Sequence, residues 1–469
     1  MAKVVLCFHN HLIYYFNSIG KAVSSNTMPP FYEAFIKGMK DNGNELLVYN
    51  CALGYLWSDH IEIPDCPQKI KNEILSFNPD LVMLFNDSFY NIVDFVECPI
   101  VVYEVDSPMY YTHKKLIRKM PDRFKFCVAQ SRSMDILKEN YGVRKANIIH
   151  TPFFSELKRQ DLELKNNICF IGSKFTPYIP SPINNFLSLN PSQDEISLFK
   201  QYLNEVKQNP YITYKELEQK FQTRSDKIEK TFHYIVEFMS DWSRIGTLSA
   251  VSDLGLVLYG SASWGTDLPY EPDLTLSFNK KIIYSMQDNQ DVYNSSKIGI
   301  NINHHQAADG FSWRVCDIMA SNACLVSEYK NDLVKLFPHI NIPTFQNKYE
   351  AREQCKKLLN NENLRKDIVC QCNEAIEKNY RFSNVIDKLE YITGVSLRSC
   401  NANNTTSLIL LSEEKKEKKT LISKLMIKRR FKCFAYLFVL LLAQIPVFDL
   451  AIHKKRRQKL LNKVHKYWR

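Results

Sequence analysis

The chain has 469 residues, 45% of them hydrophobic and 24% charged, which is enough for two full domains plus additional segments. Its formal net charge of +11 is unevenly placed: residues 411–469 hold 17 Lys or Arg against 4 Asp or Glu, whereas the rest of the chain holds 44 against 46. A body without excess charge argues against nucleic acid as the partner, and leaves the basic character to the tail.

The first half reads as short apolar strands over 4–8, 46–49, 81–85, 100–103, 126–129 and 148–149, with helical patterns between several of them. Continuous apolar runs of this length, separated by helices, indicate a parallel sheet covered on both faces. In such sheets function gathers in the loops after the strand carboxyl ends. Here those loops carry His9 and His11, Asn86 and Asp87, and the segment from Tyr103 to Pro108 with Asp106. Asp106 either faces the cleft as a general base or caps the turn before Pro108; the histidines are either functional or plain loop residues.

Residues 155–167 turn polar and charged, as an interdomain linker does, and 168–173 starts a second sheet with Gly172-Ser173 at its end. Glycine there either lets backbone approach a ligand, with Lys174 as a phosphate contact, or serves a plain turn. A long stretch, 178–252, lacks strand signals and reads as helical. Strand 254–259 resumes the sheet and ends in Tyr259-Gly260; Trp264 beyond it is either a base-stacking ring or core. A further strand-like run covers 281–284.

The most informative stretch follows. Residues 298–302 form a strand, 303–310 a polar loop, and the apolar spacing of Val315, Ile318 and Met319 predicts a helix that Ser312 caps and that ends with Asn322 in the left-handed position. Residues 323–328 then form the next strand. A helix N-terminus at the end of a parallel strand suits a diphosphate, and Asp309, Asp317 and Glu328 surround it with carboxylates able to accept from hydroxyls.

With Arg314-Val-x-Asp317-x-Met-Ala320 followed by a buried strand and Glu328, this stretch resembles the donor-binding segment of GT-B glycosyltransferases, nearest the spore-maturation-type (group 1) branch. Asp stands here where Glu is commoner, and Asn322 replaces the usual Gly. The loop around Asp106 and the strand-Tyr259-Gly260 pattern are similar to the same branch. The resemblance implies an α/β fold of two Rossmann-like doubly wound domains with a cleft between them. It places an acceptor domain at 1–160 and a donor domain at 161–380 with the helical insertion 178–252. A helix at 381–395 crosses back, and 396–469 is a linker and basic tail. It further implies a hexosyltransferase-like, metal-independent enzyme with no resident cofactor. Its co-substrate is a nucleotide-diphosphate sugar; a membrane-associated acceptor, a glycan or glycolipid of lipopolysaccharide type, would explain the basic tail. The resemblance implies donor contacts for Asp309, Asp317 and Glu328; beside them Gly172, Ser173, Lys174, Tyr259, Gly260, Gly310, Ser312 and Arg314 are the candidates to hold the donor, and Asp106 or His9 the candidate for acid-base chemistry. The resemblance fixes neither retention nor inversion. A nucleotide-sugar epimerase or hydrolase, or a non-catalytic membrane-bound scaffold on the same fold, are the rival readings.

Thirteen cysteines are scattered singly, Cys7, Cys127, Cys169 and Cys324 among them in apolar contexts, a pattern expected of reduced thiols in the cytosol. Cys370 and Cys372 read as two faces of a helix, without a second pair at zinc spacing. No signal-peptide pattern follows Lys3. In the tail, a nearly uncharged run over 433–448 lies between basic clusters. It is short for a span, so residues 415–469 are expected to lie on an anionic membrane surface at its cytoplasmic face.

Overall fold

The computed structural model describes residues 1–9, 30–51, 68–86, 90–111, 114–174, 182–209, 212, 214–260, 264, 271–281, 283 and 285–399. The apolar runs of the first half form a six-stranded parallel sheet from β1 (Lys3–His9), β2 (Glu45–Cys51), β3 (Leu81–Phe85), β4 (Ile100–Tyr103), β5 (Phe124–Val128) and β6 (Ile148–His150). Their spatial order is β2-β1-β3-β4-β5-β6, so the strand order reverses between β1 and β3. Strands β3 and β4 are buried at every position, which is why their sequences do not alternate.

A second parallel sheet comprises β7 (Asn166–Ile171), β8 (Leu256–Tyr259), β9 (Phe278–Asn279), β10 (Ser296–Asn301), β11 (Cys324–Glu328) and β12 (Thr344–Phe345). Its order is β12-β11-β10-β7-β8-β9. Read from the other edge this is the 3-2-1-4-5-6 order of a dinucleotide-binding sheet, with its switch point between β7 and β10. The protein is therefore α/β with two Rossmann-like domains, as the sequence implied. One detail differs: the edge strand is Phe278–Asn279 and not the run at 281–284, of which only 281 and 283 are described and neither is in a strand.

Between β7 and β8 the chain builds four helices, Pro182–Ser188, Gln193–Gln208, Tyr214–Phe221 and Asp226–Ser249. They share a core of their own, in which Phe186 stacks on Phe199 at 4.2 Å and Tyr202, Leu217, Ile228 and Ile235 are buried. Ser192 starts the second helix with a reciprocal capping box to Glu195, and Ser225 caps the last. The last of the four also runs back to the second sheet, and its C-terminal half reaches the switch point.

The helix Phe382–Thr393 packs on the first domain: Phe382 meets Phe35 and Phe154 at ring distances of 5.2 and 5.3 Å, and Lys388 Nζ donates to the His150 carbonyl at 2.9 Å. The domains also meet through Phe31, whose ring stacks on Trp313 at 5.8 Å. Cys370 is exposed and Cys372 buried on the helix Glu362–Asn379, two residues apart and so on nearly opposite sides.

Candidate functional site

Two arginines span the switch point of the second sheet. Arg244, near the end of the helix Asp226–Ser249, donates from Nη1 to the Ser173 carbonyl after β7 and from Nη2 to the Ile302 carbonyl after β10, the latter at 3.3 Å. Arg314 does the same one layer along: Nε donates to the Ile171 carbonyl at 2.7 Å and Nη1 to Asn301 Oδ1 at 3.1 Å. Both guanidinium groups lie over the Phe170 ring, at 5.4 and 5.3 Å. Burial, and then the charge of Arg314, pull Arg244 down to about 9; burial lowers Arg314 too.

Other charged groups close the same region. Lys330 is buried and pulled down to about 8 by burial, against the opposing pull of Glu328, whose Oε1 is 3.8 Å away. Glu328 Oε2 accepts the Asn303 amide at 3.0 Å. Burial followed by Lys330, His304 and Arg244 holds His305 at about 3, hence neutral, and its backbone N–H donates to Ser240. His304 accepts the Gln306 amide on Nδ1 at 3.0 Å, so its ring proton belongs on Nε2, 3.0 Å from Glu237 Oε2. Lys174 is buried beside Ser173. Positive charge is thus gathered in a desolvated place, with Asp241, Glu328 and Glu237 acting on Arg244 from the opposite sign.

The helix after this loop is Trp313–Met319. Ser312 has the backbone of an N-cap but does not cap. Its hydroxyl donates to Asn301 Oδ1 at 3.0 Å and accepts from Arg314, while its amide donates to Asn303 Oδ1. The buried Asn301 and Arg314 compete successfully for the hydroxyl. Asn322 is not left-handed either: the helix closes at Ala320 in the right-handed region, and the Asn322 amide donates to Asn294 Oδ1 at 2.8 Å.

The three acids make separate hydrogen bonds. Asp309 accepts from Asn331 Nδ2 at 3.0 Å, and its carbonyl accepts the Asp332 amide. Asp317 is buried and accepts from Ser155 Oγ of the interdomain segment at 2.6 Å; burial raises its carboxyl to about 7. Glu328 lies at the carboxyl end of β11 and acts on Arg244 and Lys330, Asp309 also acts on Lys330, and the buried Asp317 acts on Arg314 from the interior. Tyr259 and Gly260 serve close packing. A Cβ on Gly260 would come within 2.1 Å of the Gly172 carbonyl oxygen, which accepts the Trp264 Nε1 proton at 2.9 Å, and Trp264 is fully buried.

From the first domain, Asp106 faces this loop. Asn86, left-handed at φ 56° after β3, accepts the Val105 and Asp106 amides on Oδ1 and donates to Asp106 Oδ2 at 2.8 Å. Gln306 of the second domain donates to Asp106 Oδ1 at 2.6 Å. Beside this contact Gly310 touches the first domain so closely that a Cβ would lie 2.4 Å from Gln130 Cβ. Asp332, buried, accepts from the amide and hydroxyl of Ser131 at 2.8 and 2.7 Å, and so caps the helix Ser131–Tyr141, whose own N-cap residue Gln130 supplies no such bond. Glu104, buried behind, accepts from Ala129, Gln130 and Ser133, and burial raises it to about 7. His9 closes β1 at the switch point of the first sheet, but its side chain, like His11, Asp87 and the tail 400–469, lies outside the described residues.

Sequence reasoning missed Arg244, Lys330, Gln306 and Asp332. Arg244 sits in a helix of ordinary composition; the other three lie within or next to the recognised stretch and carried no spacing signal. Among the described residues, no group of three or more His, Cys, Asp or Glu is placed to hold a metal ion, and no helix is long and apolar enough to cross a membrane.

Residues 244–390 match the family model described as glycosyl transferase-like. No curated protein sequence matches the chain significantly. Among solved structures it is similar to a glycosyltransferase from Rickettsia africae, with 12% identity and a TM-score of 0.45 over 84% of this chain and 98% of that one. It is also similar to a sucrose-phosphate synthase from Thermosynechococcus elongatus, with 7% identity and a TM-score of 0.49 over 83% and 97%. A third is WaaG, a glycosyltransferase involved in lipopolysaccharide biosynthesis, with 9% identity and a TM-score of 0.43 over 84% and 100%.

Proposed function

We propose that the protein is a glycosyltransferase that moves a sugar from a nucleoside-diphosphate donor to an acceptor hydroxyl, of the spore-maturation-type branch its central stretch resembles. The observation that carries this reading is the pair Arg244 and Arg314, Arg244 tying the loop after β7 to the loop after β10 and Arg314 tying the last residue of β7 to the last of β10, across the switch point. Ligands of doubly wound sheets bind at that crevice, and the glycosyl transferase-like match over 244–390 begins at the first of these arginines.

In this reading the donor diphosphate sits over the loop ends at Ser173 and Asn303. Arg244, Arg314, Lys174 and Lys330 supply the positive field that stabilises the departing diphosphate, a contribution strengthened where water is excluded. Glu328 accepts from donor hydroxyls. Asp309 and Asp317 act by holding the loop and the interdomain segment. Asp106, across the cleft, takes the proton of the acceptor hydroxyl as general base. No resident cofactor is assigned.

The basic, apolar composition of 411–469 supports an acceptor carried on a membrane, a glycolipid or lipid-linked glycan, with the protein peripheral on an anionic cytoplasmic face. Flotation with anionic and neutral vesicles, with and without residues 411–469, separates this from a soluble acceptor.

The central test is calorimetric titration with UDP, GDP and CDP and their sugars, in parallel with Glu328→Ala. One nucleoside diphosphate should bind, and its sugar conjugate should lose affinity about tenfold in the variant, the size of one hydrogen bond to a charged group. Absence of binding across the set would reject the reading.

A further inference from the structure

Among the described residues, Gln306 is the side chain that holds both the backbone and the carboxylate of the Asp106 loop from the opposite domain. Its Nε2 donates to Asp106 Oδ1 at 2.6 Å, and its Oε1 accepts the Ser107 amide at 3.3 Å. Asn86 makes the matching set from within the first domain, through Asp106 Oδ2 and the amides of Val105 and Asp106. Each carboxylate oxygen therefore has one amide donor, one from each domain. A carboxylate oxygen has two lone pairs, so both remain able to accept from a substrate hydroxyl.

Gln306 is itself held. Its backbone N–H donates to His304 Nδ1, and the other nitrogen of that ring faces Glu237 on the helix Asp226–Ser249. The same helix carries Arg244 to the switch point. A continuous set of contacts thus runs from the loops beneath the donor crevice, through Glu237, His304 and Gln306, to Asp106.

We propose that Gln306 is an interdomain positioning residue that fixes the Asp106 carboxylate only when the two domains are closed, so that the acceptor-side base is in place only while the domains meet. The catalytic part of the inference rests on the reading of Asp106 as base; the closure part does not. With the domains apart, Asp106 keeps only Asn86, and its loop loses its second anchor. A two-point hold of this kind narrows the carboxylate to one orientation, which is what a general base needs.

The test uses the full chain and five proteins: wild type, Gln306→Glu, Asp106→Asn, the double variant carrying both, and Gln306→Ala. Gln306→Glu sets two carboxylates against each other, Asp106→Asn sets two amides, and the double variant restores an amide–carboxylate pair with the roles exchanged. Thermal unfolding and the radius of gyration from solution scattering read closure without any need for activity. Each single variant should unfold at lower temperature and show a larger radius, and the double variant should return toward wild type on both. Additive effects of the two substitutions, with no recovery, would overturn the closure part. Turnover of whichever donor binds reads the rest. Gln306→Ala should lower kcat at least tenfold with the donor KM within twofold, and the double variant should stay inactive although closed. An unchanged kcat in Gln306→Ala would overturn the positioning role. If no donor is ever turned over while the unfolding and scattering cycle behaves as stated, the glycosyltransferase reading fails and the latch stands.

Discussion

Arg244 and Arg314 both lie over the ring of Phe170, at 5.4 and 5.3 Å from its centroid, and each joins the carboxyl end of β7, or the loop just after it, to that of β10. Two like charges this close are tolerated because the ring face and four carbonyl or amide oxygens surround them. The arrangement fixes the geometry of the crevice and gathers Arg244, Arg314 and Lys330 there, with Asp241, Glu237 and Glu328 as opposing charges.

Replacing Arg244 with Ala removes two bonds to loop carbonyls and the field at the crevice. We expect stability to fall by about 1–3 kcal/mol and nucleoside-diphosphate affinity by about 100-fold. Chemical denaturation and calorimetry measure the two separately. Arg244→Lys, which keeps the charge without the fork, should recover stability poorly and affinity partly. Equal affinity in wild type and Arg244→Ala would remove Arg244 from the site.

Gly310→Ala tests the approach of the domains. The added methyl falls 2.4 Å from Gln130 Cβ, so the loop or the first domain must move. The expected cost is about 1–3 kcal/mol, with loss of turnover exceeding loss of donor affinity. A variant as stable and as active as wild type would show that the domains do not close this tightly in solution.

Asp317 gives a pH prediction. Its folded carboxyl is raised from the usual carboxylate value to about 7, so the folded protein holds a proton that the unfolded chain releases near pH 4. Stability from this group is greatest below about pH 4, declines as pH rises, and is fully lost above about 7. Glu104, also raised to about 7, adds in the same direction between its own unfolded value and 7. Asp317→Asn keeps an acceptor for Ser155 and removes one titration. Urea unfolding at pH 5 and 8 should show the variant gaining on wild type at the higher pH; a difference independent of pH would contradict it.

Asp332→Ala should cost about 1–2 kcal/mol, since it uncaps the helix Ser131–Tyr141 and leaves the Ser131 amide and hydroxyl without their acceptor. Circular dichroism melts check it.

The sheets were legible because strands buried on both faces must be apolar throughout, as Leu81–Phe85 and Ile100–Tyr103 are. The interval between Asp309 and Asp317 was legible as a pattern but not as a geometry. Sequence spacing does not say that Ser155, 162 positions earlier, draws Asp317 into the interior. Ser312 looked like a cap because it takes the cap backbone; only the position of Asn301 and Arg314 shows where its hydroxyl goes. Gln306 was invisible for the same reason, its partner lying 200 residues away.

The cap that Asp332 places on the helix Ser131–Tyr141 belongs to the other domain, so the secondary structure of one half is completed only by the presence of the second. Parting the domains frays that helix, and the Ser131 amide then exchanges with solvent. Hydrogen exchange at this single backbone position is therefore a natural clock for the cleft, readable without labels or substrate.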